Sequence, residues 1–173
     1  NVVPVLAGSG YLTTPTVTIS SPFSGTSGTP AVANIVGETA SSGGNINTKY
    51  ISRRVTLEDG FDASDLKVIV NAYKPLGSGL HVYFKVKSDE DPEDFDKKDY
   101  VLMSQETPSS VFSLTEGDTK ELVFKSANDA ITYTSSNVTY EKFKTFAIKI
   151  ALTSNNATVI PKVRDMRAIA LDE

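Results

Sequence analysis

From residue 66 onward, apolar side chains fall at every second position. Leu66, Val68, Val70 and Ala72 alternate with Lys67, Ile69, Asn71 and Tyr73. Lys74-Pro75-Leu76-Gly77-Ser78-Gly79 breaks the pattern as a turn. Leu80, Val82, Phe84 and Val86 then alternate with His81, Tyr83, Lys85 and Lys87. A period of two predicts strands with one face in a core, and the pair reads as a hairpin with a shared buried face. Phe146, Ile148, Ile150 and Leu152 repeat the pattern against Ala147, Lys149 and Ala151. Shorter strands are expected at Ile51–Leu57, Tyr100–Met103, Val111–Leu114, Glu121–Lys125 and Ala130–Thr134, with a last one over Lys162–Leu171. Glu141–Lys149 opens like a helix, but its β-branched and aromatic content favours a strand. No stretch holds a helical period. The expected fold is therefore all-β: an antiparallel β-sandwich of jelly-roll-like type, with a closed barrel as the alternative.

The first part of the chain is patterned differently. Residues 1–48 carry one charged side chain, Glu38, and hold seven of the eleven glycines and four of the eight prolines. Thr16–Ser20 alternates and is β-branched, so it reads as a strand, and Ala31–Val36 is a second short candidate. Ser21–Pro30 between them is a loop by its turn residues. Such a hairpin is marginal alone and is expected to pack on a neighbour or on another chain. Ser41-Ser42-Gly43-Gly44-Asn45 is the best linker. The expected division is a Gly/Pro/Ser/Thr-rich β arm over 1–45 and a β-sandwich domain over 46–173. The chain starts at Asn1 and stops at Asp172-Glu173, which reads as a piece of a longer polypeptide.

Composition narrows the chemistry. The 173 residues include no cysteine, so disulfides and thiolate metal sites are out of reach. A net charge of −4 does not suit phosphate-backbone binding, so no nucleic-acid partner is expected. No apolar run approaches the roughly 20 residues of a membrane helix, and no membrane partner is expected. Asn137-Val138-Thr139 and Asn156-Ala157-Thr158 fit a glycosylation pattern too short to carry weight. The one histidine, His81, sits opposite the apolar row and reads as a half-exposed strand residue rather than a base or metal ligand. There is no Gly-x-Ser-x-Gly elbow. Gly8-Ser9-Gly10 and Gly77-Ser78-Gly79 are short turns without the helix that a phosphate cradle needs. The chain is expected to be non-enzymatic and to use no cofactor.

The acidic run Asp89, Glu90, Asp91, Glu93, Asp94 and Asp96 is the sharpest local feature. Calcium is one reading. Pro92 in its middle and the lack of a turn glycine favour a solvated loop neutralised by Lys85, Lys87, Lys97 and Lys98. Tyr73, Tyr83 and Tyr133 are expected on outer faces, where they could stack on a sugar or serve as ordinary sheet tyrosines. Arg53-Arg54 and the run Lys162–Arg167 are the basic clusters, available to a neighbouring subunit or to ion pairs within the chain. The candidate partner or glycan contacts are thus Tyr73, Tyr83, Tyr133, Arg53 and Arg54. A glycosidase needs only two carboxylates across a cleft, so hydrolysis of a surface polysaccharide is the one enzymatic form left open.

Gly8-Ser9-Gly10-Tyr11 followed by Pro15–Ser20 resembles a glycine-rich β motif of large virion proteins of tailed bacteriophages. The blocks Lys49–Leu57, Gly60–Val68, Ala72–Pro75, Val82–Val86, Phe143–Ile150 and Pro161–Leu171 resemble a domain of structural proteins from T4-like phages, especially those of marine cyanobacteria. That resemblance implies a virion component, in tail or baseplate, assembled in the host cytoplasm with other virion proteins and with copies of itself. It brings no catalytic signature. A carbohydrate- or receptor-binding module on a tail tip or fibre, with a host surface glycan as partner, is the alternative.

Overall fold

A computed structural model describes residues 37–128 and 130–172. The strands expected at Thr16–Ser20 and Ala31–Val36, the loop between them and the Gly8-Ser9-Gly10 turn lie outside those residues. The described chain forms eleven strands and one short 3-10 turn, Phe95–Lys97. The strands are β1 (Lys49–Ile51), β2 (Val55–Thr56), β3 (Asp65–Tyr73), β4 (Ser78–Lys87), β5 (Val101–Leu102) and β6 (Ser104–Gln105), then β7 (Lys120–Lys125), β8 (Tyr133–Ser135), β9 (Val138–Tyr140), β10 (Thr145–Ser154) and β11 (Lys162–Leu171).

All strand pairs in the sheets are antiparallel. One sheet runs β1-β10-β4-β5 with β2 also on β10, a second runs β11-β3-β7-β6, and β8-β9 is a separate hairpin. The chain crosses directly between the two large sheets after β2, β3, β5 and β10, and passes from the second to the first through the β8-β9 hairpin. Leu66, Val68, Val70, Leu122 and Phe124 of the second sheet meet Leu80, Val82, Phe84, Phe146, Ile148 and Ile150 of the first in one buried cluster. The fold is the expected antiparallel, jelly-roll-like β-sandwich, whose interdigitated inner faces supply the hydrophobic stabilisation.

The hairpin expected between residues 66–73 and 80–87 does not form. β3 pairs with β11 and β7, whereas β4 pairs with β10 and β5. Period two marks which side chains share a face. It does not say whether two apolar rows lie side by side in one sheet or face to face across a core. Here they lie face to face, and the turn at Pro75–Gly77 is the arch between sheets. Gly77 holds φ +83° there, and a Cβ on it would lie 2.5 Å from Asn155 Oδ1.

Three shorter expectations are also corrected. Val111–Leu114 is a loop with one isolated bridge, from Ser113 to Pro75 in the arch, and with Val111 packed against the core. Ile51–Leu57 is split, because Ser52 ends the first piece by donating its N–H to Ile148 O and accepting Ile148 N–H on its hydroxyl. Tyr100–Met103 shrinks to β5, since Met103 already leads the chain to the other sheet at Ser104. β9 was not foreseen. It pairs with β8 through a turn in which Ser136 and Asn137 both take positive φ.

Candidate functional site

The outer face of the first sheet is covered, which is unusual for a two-layer sandwich. His81, Tyr83, Lys85 and Lys87 point there from β4, and Ala147, Lys149 and Ala151 from β10. Tyr83, Lys85, Lys149 and Ala151 are nevertheless buried. The cover consists of residues 37–46 and the chain around Phe95 and Tyr100, with Ile46 and Tyr100 packing on Tyr83 and Ala151.

Charge organises this layer. Arg54, Phe95, Lys85, Tyr100, Lys149 and Tyr83 form an alternating ladder of cations and rings. The guanidinium of Arg54 lies 5.1 Å from the Phe95 ring, Lys85 Nζ lies 4.9 Å from Phe95 and 5.0 Å from Tyr100, and Lys149 Nζ lies 5.1 Å from Tyr100 and 4.2 Å from Tyr83. Ring faces carry negative potential, so each ammonium gains attraction where water is excluded.

Lys149 is fully buried and needs more than rings. Its ammonium donates to Glu38 Oε2 at 3.2 Å, to the Glu38 carbonyl and to Gly43 O at 3.2 Å. Glu38 Oε1 accepts the N–H groups of Asn45 and Ile46, each at 2.8 Å. Gly44 sits at φ +71°, and a Cβ on it would stand 2.6 Å from Glu38 Cα, so the loop closes on Glu38 only with glycine there. Burial pushes the Lys149 ammonium below its usual range, with Glu38 opposing that shift. Burial, helped by the Glu38 charge, raises the Tyr83 phenol to about 12. The segment expected to be a linker, Ser41–Asn45, is here a turn packed around a buried ion pair.

A second polar cluster lies at the acidic run. Asp91 is buried, and its Oδ2 meets Lys98 Nζ at 2.5 Å. Lys98 also bonds Glu93 Oε2 at 2.6 Å and Ser135 Oγ at 2.8 Å. Tyr133 donates its hydroxyl to Asp91 Oδ2 at 2.9 Å and accepts Ser88 N–H at 2.7 Å. Burial is the largest influence on Asp91 and raises its pKa. The bonds from Lys98, Glu93 N–H, Tyr133 and Ser135 together outweigh it and hold the carboxyl down at about 2. The run is therefore not simply a solvated loop. Its central carboxylate is an internal group that ties the Ser88–Lys98 segment to β8.

The five candidate contacts do not converge on one surface. Tyr83 faces outward from its sheet as expected but is wholly buried, because the 37–46 segment and Tyr100 lie over it. Tyr133 is half-buried, stacked on Tyr140 at 5.2 Å between centroids, with its hydroxyl committed to Ser88 and Asp91. Tyr73 ends β3 in a shallow hollow with Glu116, Thr119, Lys162 and Arg164. Arg53 and Arg54 are exposed between β1 and β2, and Arg54 starts the ladder that ends at Tyr83. His81 is half-buried with Nε2 3.4 Å from Thr153 Oγ1, and burial lowers its pKa. Sequence reasoning missed Glu38, Lys85, Tyr100 and Lys149. The available signal was Glu38 as the lone charge in an uncharged stretch.

One long strand edge is open among the described residues. β11 is ten residues long and ends the second sheet, pairing only with β3 among the described residues. The other sheet edges, β1, β2, β5 and β6, are two or three residues long. Beside the C-terminal end of β11 lies a hollow of about 410 Å³ lined by Leu57, Phe61, Ala63, Ala170 and Leu171 together with Glu58, Asp62 and Asp172. Phe61 is 65% exposed there.

No protein-family model matches this chain, and no curated protein matches it. Among solved structures, the chain is similar to the infectious bursal disease virus VP2 subviral particle at 9% identity and a TM-score of 0.30. The match covers 72% of this chain and 31% of that one, so the chain spans about a third of its length.

Proposed function

We propose that this chain is a non-enzymatic structural module of a virion that makes assembly contacts with other virion proteins and with copies of itself. The observation carrying the reading is the edge of β11, a ten-residue strand that among the described residues pairs on one side only, beside an apolar hollow. A long edge is a template for another strand, and natural sheets shorten, twist or cover edges they do not use. The first sheet, covered on both faces, suits a load-bearing part. The sequence resemblance to structural proteins of T4-like phages supports a place in the tail or baseplate. The glycan-binding alternative is weaker, because Tyr83 and Tyr133 are engaged inside the domain. Antibodies raised against the purified chain test the reading: labelling of tails or baseplates in electron micrographs of the phage that encodes it is expected. Virions that carry none of the chain would contradict it.

A further inference from the structure

Among the described residues, the β11 edge is guarded by charge over all but its last four residues. Its first six residues include Lys162, Arg164, Asp165 and Arg167, and the register with β3 shifts between Val163 and Asp165. Charges and bulges of this kind discourage edge-to-edge pairing. The last four residues, Ala168-Ile169-Ala170-Leu171, have no charge, no proline and a regular register with β3. Ala168 and Ala170 turn toward the core, which leaves Ile169, 42% exposed, on the outside. The apolar hollow opens beside this bare end, between Ala170 and Leu171 of the second sheet and Leu57 just beyond β2 of the first. A strand laid along the edge would gain main-chain hydrogen bonds from β11 and place an alternate side chain in the hollow.

The chemistry of the edge selects its occupant. The hollow is lined by Leu57, Phe61, Ala63, Ala170 and Leu171, and its carboxylates Glu58, Asp62 and Asp172 repel an acidic strand, so a strand with alternate apolar side chains and no acidic group fits. Residues 1–36 carry no charge at all, and Thr16-Val17-Thr18-Ile19-Ser20 has the required alternation. The root of that segment is held by Glu38 against Lys149, on the outer face of the sheet that does not contain β11. We propose that the Ala168–Leu171 edge and its hollow receive Thr16–Ser20 from a second copy of this chain. This deepens the assembly reading and rests on it.

The chain has no cysteine, so the test can use engineered ones cleanly. Full-length Val17→Cys and Ile19→Cys chains with an affinity tag are each mixed with untagged full-length Ile169→Cys under mild oxidation. A disulfide-linked tagged–untagged pair is expected from at least one mixture, together with amide-exchange protection at residues 168–171 that is lost when residues 1–36 are deleted. Absence of any mixed pair, or a link formed only within the double variant Val17→Cys/Ile169→Cys, overturns the proposal. Native mass spectrometry of the unmodified chain separates the two failures. Oligomers without the cross-link sink the arm-to-edge contact alone, whereas a monomer without the cross-link sinks the assembly reading as well.

Discussion

Glu38 and Lys149 are 111 residues apart in the chain and form a buried ion pair with Oε2 and Nζ at 3.2 Å. The pair fastens the start of the described chain to the middle of the central strand β10. Both charges are out of water, so each is tolerable only with the other and with the surrounding donors, acceptors and rings.

Removing one partner should therefore cost more than removing both. Glu38→Ala leaves a buried ammonium and frees two backbone N–H groups, and a loss of about 3–5 kcal/mol is expected. Lys149→Met is expected to cost less, because Glu38 keeps the N–H groups of Asn45 and Ile46. The double variant Glu38→Leu/Lys149→Met should recover part of the Glu38→Ala loss in urea unfolding. A double variant less stable than Glu38→Ala would refute the coupling.

Gly44 bends the chain around the same carboxylate. Gly44→Ala puts a side chain at positive φ and within 2.6 Å of Glu38 Cα. A loss of about 1–3 kcal/mol is expected from the strained backbone, with wild-type stability as the contrary result.

Tyr83 offers a substitution of opposite sign. Its hydroxyl is buried and has no hydrogen-bond partner among the described residues. Tyr83→Phe keeps the ring under Lys149 and removes an unsatisfied group, so stability should hold or rise by about 1 kcal/mol. A clear loss in thermal unfolding would mean that the hydroxyl is satisfied in solution.

The acidic run gives the domain a pH dependence. Asp91 titrates at about 2 when folded, against an unfolded value near 4. A depressed carboxyl pKa contributes stability that is full above the unfolded value and is lost as pH falls toward the folded one. Stability should drop between about pH 4 and pH 2, and Asp91→Asn should flatten that part of the curve at the expense of neutral-pH stability. Tyr133→Phe, which removes one of the bonds to Asp91, should move its titration upward by NMR and cost about 1–3 kcal/mol. An unchanged Asp91 titration would remove Tyr133 from the cluster.

The sandwich was legible because its long strands carry a clean period of two. β11 begins and ends where the pattern places it, and β3, β4 and β10 differ from expectation by a few residues. The partnering of strands was not legible. Val68 and Val82 each announce an inward face, but alternation is silent on whether those faces adjoin or oppose. The covered outer layer was hidden for a related reason. Lys85 and Lys149 sit at positions that read as solvent-facing, and only the distant Glu38, Phe95 and Tyr100 cover them. Tyr83 was misplaced by the same logic, since an outward direction from a sheet was equated with exposure.

The most direct measurement is sedimentation velocity on the full chain beside its Ile169→Lys variant. A lysine at an edge is a common natural block to pairing, and Ile169 lies outside the core, so the variant should remain folded. A self-associated wild-type chain and a folded, monomeric Ile169→Lys chain are predicted. A wild-type monomer at every concentration, or association untouched by the edge lysine, would contradict an assembly module that works through β11.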